Sequence, residues 1–161
     1  MSELIKERVC AEIDGEVVIF LIGMRINKLW KFWKWLPVIR AMPRMLKELA
    51  AHPELGMLSA RGHYGLRNLM MLQYWKSSTL LQAFAHSSDK THLPAWQAFN
   101  RTIGSGGDVG IWHETYVVPK GHAESVYVNM PSFGLGLAGS LFPATGARAT
   151  ASKRLAGMRS T

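Results

Sequence analysis

At 161 residues with 48% apolar side chains, the chain is one ordinary domain long and can bury a sizeable core. A single cysteine, Cys10, excludes an internal disulfide framework and a cysteine metal cage. The formal charge of +8 raises nucleic acid and anionic membrane as partners, yet the cations gather around residues 25–47 and in the tail, and no nucleic-acid motif accompanies them.

Residues 1–8 mix charges of both signs and lack the apolar stretch of a secretion signal, so residues 1–14 read as an N-terminal arm and the protein as cytoplasmic. No apolar run reaches the roughly 20 residues needed to span a bilayer. Residues 17–27 are dense in β-branched and large apolar side chains, which predicts a strand, and 17–23 are apolar enough to be covered on both faces. A helix is predicted over residues 31–51, where Ile39, Met42, Met45, Leu46 and Leu49 recur at helical spacing. Pro43 is an expected kink or break in it. Around the helix start, Lys28, Lys31 and Lys34 interleave with Trp30, Phe32, Trp33 and Trp35. That mixture suits a solvated face with the tryptophans packed inward, the commoner case, or a stripe for stacking or membrane-surface contact.

Residues 56–64 and 69–75 predict a hairpin connected by Gly65-Leu66-Arg67-Asn68. Ser77 is placed to cap a short helix with Leu80, Leu81 and Phe84 on one side, and Thr91 to cap another bearing Trp96, Phe99, Asn100 and Ile103. After glycines at 104–107, residues 110–118 and 123–129 predict a closing strand pair around Pro119-Lys120-Gly121. The order is close to β-α-β-β-α-β, the split βαβ pattern of an α+β domain with one sheet face under helices and the other open. A second copy of the sheet is a common cover for such a face, which predicts a homodimer forming a barrel with a cavity between sheet and helices. The domain spans residues 15–138. Residues 139–161 form a basic tail rich in Gly, Ala and Ser, expected to be disordered beyond Gly146.

Among six histidines, none at a metal-binding spacing, His113 is the best placed for chemistry. In Trp112-His113-Glu114-Thr115-Tyr116, strand alternation groups it with Ile111 and Thr115. A histidine among apolar neighbours serves as a haem ligand, a proton shuttle or a hydrogen-bonded core residue. Ser125, Tyr127 and Asn129 share a strand face, where Tyr127 and Asn129 would orient a substrate carbonyl or hydroxyl, or simply pair and fix a turn. Arg25 shares a face with Gly23 and Asn27. Buried, it needs an anionic partner; exposed, it is a surface charge. Phosphate-binding and dinucleotide fingerprints, a nucleophile elbow and paired carboxylates are absent, which argues against classical hydrolysis.

Phe20-Leu21-Ile22-Gly23-Met24-Arg25-Ile26-Asn27-Lys28, Trp75-Lys76-Ser77 with Phe84 and Trp96, Trp112-His113-Glu114-Thr115-Tyr116, and the stretch from Tyr127-Val128-Asn129-Met130 through Gly136 carry a resemblance. The chain resembles, over roughly residues 15–138, a poorly characterised microbial monooxygenase-like family related to antibiotic-biosynthesis monooxygenases, in the ferredoxin-like, dimeric α+β barrel group. The resemblance implies an enzyme that binds a small hydrophobic, aromatic or polyketide-like substrate in the barrel cavity. In cofactor-independent members of that group, Trp, Tyr, Asn and Arg in the cavity are implicated, which points to Trp75, Tyr127, Asn129 and Arg25. Trp96, Trp112 and Met71 would complete the substrate wall. Haem relatives, including aldoxime dehydratases, ligate iron through a histidine, which points to His113 and leaves haem or no cofactor as alternatives. A non-catalytic binder of a small molecule or membrane surface is the third reading.

Overall fold

The computed structural model describes residues 3–86 and 106–159. Two sheets organise it. A short one pairs β1 (Val9–Glu12) with β6 (Ser140–Pro143), and a four-stranded antiparallel one runs in the order β3-β4-β2-β5. Its strands are β2 (Val17–Ile26), β3 (Met57–Tyr64), β4 (Asn68–Trp75) and β5 (Val109–Val118). Helix α1 (Phe32–Ala51) links β2 to β3, and α2 (Ser78–His86) follows β4. This is the ferredoxin-like split βαβ arrangement, with β2 paired on both sides.

Alternate side chains of a strand point to opposite faces. Val18, Phe20, Met24 and Ile26 of β2 pack toward the helices, so Ile22 lies with them and Ile19, Leu21, Gly23 and Arg25 look the other way. Two clusters anchor the helices. At one end of the sheet, Val18 and Trp75 pack with Leu49 of α1 and Leu81 and Phe84 of α2. At the other end, Met24, Ile26 and Val109 pack against Trp35, Val38 and Ile39 of α1. Ser77 caps α2 through its Oγ, which accepts from the Leu80 N–H at 3.2 Å. Helix α1 runs unbroken through Pro37 and Pro43, so the break expected at Pro43 does not occur. The two prolines deprive only the carbonyls of Trp33 and Ile39 of a helical donor.

The expected closing strand at 123–129 is not part of the main sheet. After Gly121, in a left-handed conformation at φ 77°, the chain leaves β5 and meets the N-terminal arm instead. Val9 and Tyr127 exchange both backbone hydrogen bonds, at 2.9 and 2.8 Å, and the Ser125 hydroxyl accepts from the Ala11 N–H. The reason is cover: Ala11, Val17 and Leu135 form a third cluster with Tyr74, Val118 and Tyr127, closing one end of the otherwise open sheet face. Where disorder is expected, beyond Gly146, a helix spans Ala151–Arg159. Basic side chains hold this segment down: Arg148, just before the helix, pairs with Glu12, and Arg154 within it, with its side chain only 4% exposed, donates Nε and Nη2 to Glu124. Trp96, Phe99, Asn100 and Ile103 lie outside the described residues.

Asp108 fastens the start of β5 to the entrance of α1. Its carboxylate is buried and meets Lys28 Nζ at 2.8 Å and Lys31 Nζ at 2.9 Å, while its backbone carbonyl accepts from the N–H groups of Asn27 and Lys28. Hydrogen bonds from the two lysines lower its pKa to about 2, against the opposing effect of desolvation. A depressed carboxylate pKa contributes stability above the unfolded-state value near about 4 and loses it as pH falls toward the folded value. Asp108→Asn is therefore expected to lower the melting temperature at neutral pH. The gap to the parent protein should narrow as pH falls from about 5 to about 2, followed by calorimetry.

Candidate functional site

Between the two clusters that hold the helices lie two rows of side chains set by strand register. One reads Ala60, Gln73, Phe20 and Thr115; the next reads Gly62, Met71, Ile22 and His113. All project from the helix-side face. Phe20 leans on the first cluster; the remainder of these rows belongs to neither. The β3 contribution is small at Ala60, while the phenol of Tyr64 lies over Gly62. Beside Ala60 a cavity of about 490 Å³ opens between the C-terminal half of α1 and β3, lined by Leu46, Leu49, Ala50, Met57 and Ala60 among others.

Three polar side chains interrupt this apolar floor. Gln73 is buried, and its Oε1 accepts from Trp75 Nε1 at 3.0 Å. That bond fixes the amide orientation and leaves the NH₂ group as the donor end. His113 is exposed, with its ring centroid 5.8 Å from that of Phe20, tilted by 44°. Thr115 stands two residues along the same strand face. An amide donor, an imidazole and a hydroxyl thus surround Phe20 and Ile22, an arrangement that binds an apolar body and orients one polar group on it.

The structure divides the residues singled out from sequence. His113 and Met71 are neighbours across Ile22 on this floor. Trp75 is 1% exposed and packs beside Phe84, beneath the end of the floor. Trp112 lies on the opposite face, its ring so close over Gly23 that a Cβ there would meet it at 2.6 Å. Arg25 is exposed at one end of that opposite face and donates to Asn68 Oδ1 at 3.0 Å. Tyr127 is at the other end, its hydroxyl accepting from the Gly136 N–H at 3.1 Å. Beside it the phenol of Tyr74 is pushed up by burial and by Tyr127 itself. Asn129 is exposed and adopts a left-handed backbone, φ 53°. The structure therefore does not bring Arg25, Tyr127 and Asn129 together with His113. Trp96 lies outside the described residues. Cys10 is buried in β1, where burial raises its thiol pKa.

Gln73, Thr115 and Phe20 were not singled out from sequence. The available signal was Gln73, the one amide in the otherwise apolar run from Leu69 to Trp75, a residue that an apolar strand face does not bury without a hydrogen-bond partner.

A model of the family described as Monooxygenase af470-like matches residues 17–135. Monooxygenase af470 of Aspergillus fumigatus (strain ATCC MYA-4609 / CBS 101355 / FGSC A1100 / Af293) is 29% identical over 149 residues, 80% of this chain and 53% of that protein. The chain thus spans about half the length of that relative. Among solved structures, an aldoxime dehydratase (OxdRE) in complex with butyraldoxime superposes with a TM-score of 0.69 at 17% identity, over 83% of this chain and 40% of that one. That likeness shows the fold alone. SnoaB, a cofactor-independent oxygenase from Streptomyces nogalater, gives a TM-score of 0.45 at 11% identity, over 64% of this chain and 92% of its own.

Gln73→Leu removes the acceptor of a buried indole N–H and is expected to destabilise the fold by ~1–3 kcal/mol, read by urea denaturation.

Proposed function

The chain belongs to the Monooxygenase af470-like family, and from that premise we propose that it is a monooxygenase-like enzyme acting on a small, largely apolar substrate held on the helix-side floor. The observation that carries this reading is the set of Gln73, His113 and Thr115 around Phe20 and Ile22. An aromatic or polyketide-like body lies on Phe20, Ile22 and Met71. The Gln73 amide donates to a carbonyl oxygen of the substrate, and the His113 imidazole accepts a proton from the adjacent methylene. The resulting enolate supplies the electrons for dioxygen: one oxygen atom enters the methylene carbon, which becomes a carbonyl, and the other leaves as water with the two hydrogens removed. Neither a metal nor an external reductant is needed to balance that step.

One observation favours a second reading. Among the described residues His113 is the imidazole on this floor; it is exposed, with the Phe20 ring 5.8 Å away, and an accessible nitrogen donor beside apolar side chains fits an axial haem ligand. If bound there, haem would supply a redox-active iron, with His113 holding it and Gln73 and Thr115 setting the polarity beside it.

We also propose that a second copy covers the open sheet face. Ile19, Leu21, Met70 and Leu72 are half-buried there, and Trp112 and Tyr116 stand exposed at its β5 side. Tyr116 donates to Glu114 at 2.7 Å, which holds its phenol proton on. Leu21→Glu is expected to convert a dimer to a monomer in analytical ultracentrifugation.

Oxygen uptake with a panel of aromatic methylene ketones tests the main reading. His113→Ala is expected to lower turnover by ~10²-fold or more, with Asn129→Ala close to the parent protein. Equal loss in both variants, or none in His113→Ala, would refute the assignment. A Soret band that titrates to one hemin per chain and vanishes in His113→Ala would instead support the haem reading.

A further inference from the structure

Among the described residues, the most exposed large apolar side chains gather at one end of the sheet. Three segments meet there: the β2–α1 connection with the start of α1, the β3–β4 hairpin tip, and the lead into β5. They are tightly joined. Arg67 of the hairpin donates to the carbonyl of Asn27 at 3.0 Å, and the Ile26 N–H donates to the Arg67 carbonyl at 2.7 Å. Asp108 holds Asn27, Lys28 and Lys31 from the third side.

On this braced end, large apolar side chains point outward. Trp30 is 66% exposed, Phe32 57%, Trp33 56%, Tyr64 74% and Leu66 83%. Phe32 and Trp33 meet edge to face, with ring centroids 5.3 Å apart. Trp35, one turn on, does the opposite: its Nε1 donates to the Leu29 carbonyl and its ring joins the core. The aromatic stripe seen in the sequence is thus split, with one ring inside and three outside.

Among the described residues the charge at this end is equally one-sided. Residues 24–38, 62–70 and 106–111 contain Arg25, Lys28, Lys31, Lys34 and Arg67, five cations, against a single acid, Asp108. That acid is buried beneath two of the lysines. No carboxylate of these segments faces outward. A folded domain gains nothing by exposing five large apolar side chains to water, least of all at a rigid tip.

We propose that this end docks on an anionic lipid surface. Tryptophan and tyrosine rings place an apolar body in the acyl boundary and a polar edge at the headgroups, leucine and phenylalanine insert, and the cations meet lipid phosphates. Among the described residues no helix is long and apolar enough to cross a membrane, so the contact is peripheral. Lipid is favoured over a protein groove because the apolar side chains stand on a hairpin tip and a helix start, interspersed with cations. The geometry suits a protein that meets an apolar substrate where it partitions: Tyr64 lies back over Gly62, at the β3 edge of the floor, and so joins the tip to the binding region.

Vesicle co-sedimentation of the full chain, with phosphatidylcholine alone and with phosphatidylserine added, tests this. Binding is expected to the anionic vesicles, to fall with added salt, and to be accompanied by a blue shift of tryptophan emission. The double variant Trp30→Ala/Trp33→Ala is expected to bind at least about tenfold more weakly with unchanged circular dichroism. Leu66→Asp, at the hairpin tip, should weaken binding independently. Absence of binding at low salt would overturn the proposal. Binding unaltered by both variants would do the same, since it would assign the contact to another surface such as the basic C-terminal helix. Association with nucleic acid in a gel-shift assay, without vesicle binding, would refute it in favour of the other anionic partner.

Discussion

The register of β2 governs the molecule. This strand is paired along nearly its whole length on both sides, with Val18 opposite Trp75 and Val117, and Ile22 opposite Met71 and His113. Side chains alternate with a period of two, so a slip of one residue would send Val18, Met24 and Ile26 to the open face and bring Arg25 under α1. Nothing in such a state could repay the loss of both helix-anchoring clusters. The correct register then has a second effect. It lines up Gln73, Phe20 and Thr115 in one row and Met71, Ile22 and His113 in the next. The same pairing that secures the core assembles the floor.

The two ends of the sheet are finished differently, and each finish depends on ionic contacts that a plain hydrophobic account would omit. At one end, Asp108 sits buried under Lys28 and Lys31, so that the start of β5 and the entrance to α1 move as a unit. At the other, the arm and tail pair as β1 and β6, with Arg148 on Glu12 and Arg154 on Glu124. Tyr127 belongs to this second device. Its hydroxyl supports the turn at Gly136, and its ring helps roof Val17 and Leu135. A tyrosine and asparagine two apart on a strand suggest a substrate-orienting pair or simple strand pairing with a turn; with the segment paired to the arm rather than to β5, Tyr127 bonds the Gly136 N–H and Asn129 takes a left-handed backbone, both away from His113.

Much of the fold was legible because it rests on local periodicity. The central strand, α1 and the hairpin around Gly65 follow from runs of apolar side chains and their punctuation, and Ser77 announces α2 through a capping interaction that is local in sequence. What the sequence did not reveal is non-local. The antiparallel pairing of residues 9–12 with 140–143 spans most of the chain, and the order of the tail depends on two arginine–glutamate pairs whose partners are distant. The site shows the same division. His113 and Met71 could be singled out by type, but their adjacency across Ile22, and the inclusion of Gln73 and Thr115, depends on which strands neighbour β2. Pro43 shows the reverse: local chemistry forecasts a kink or a break, and the helix continues through it, with Trp35, Ile39 and Leu49 packed onto the sheet.

The central claim is that a small apolar molecule binds on the helix side of the sheet, and two consecutive methionines report on it. Met71 lies on the floor and Met70 on the open face. Methyl-methionine NMR of the isotopically labelled chain, titrated with a tricyclic aromatic ketone such as anthrone, would separate the two. The account predicts that the Met71 methyl resonance shifts with saturating dose dependence while that of Met70 stays in place. Movement of Met70 with Met71 unchanged would put the ligand on the open face and contradict it.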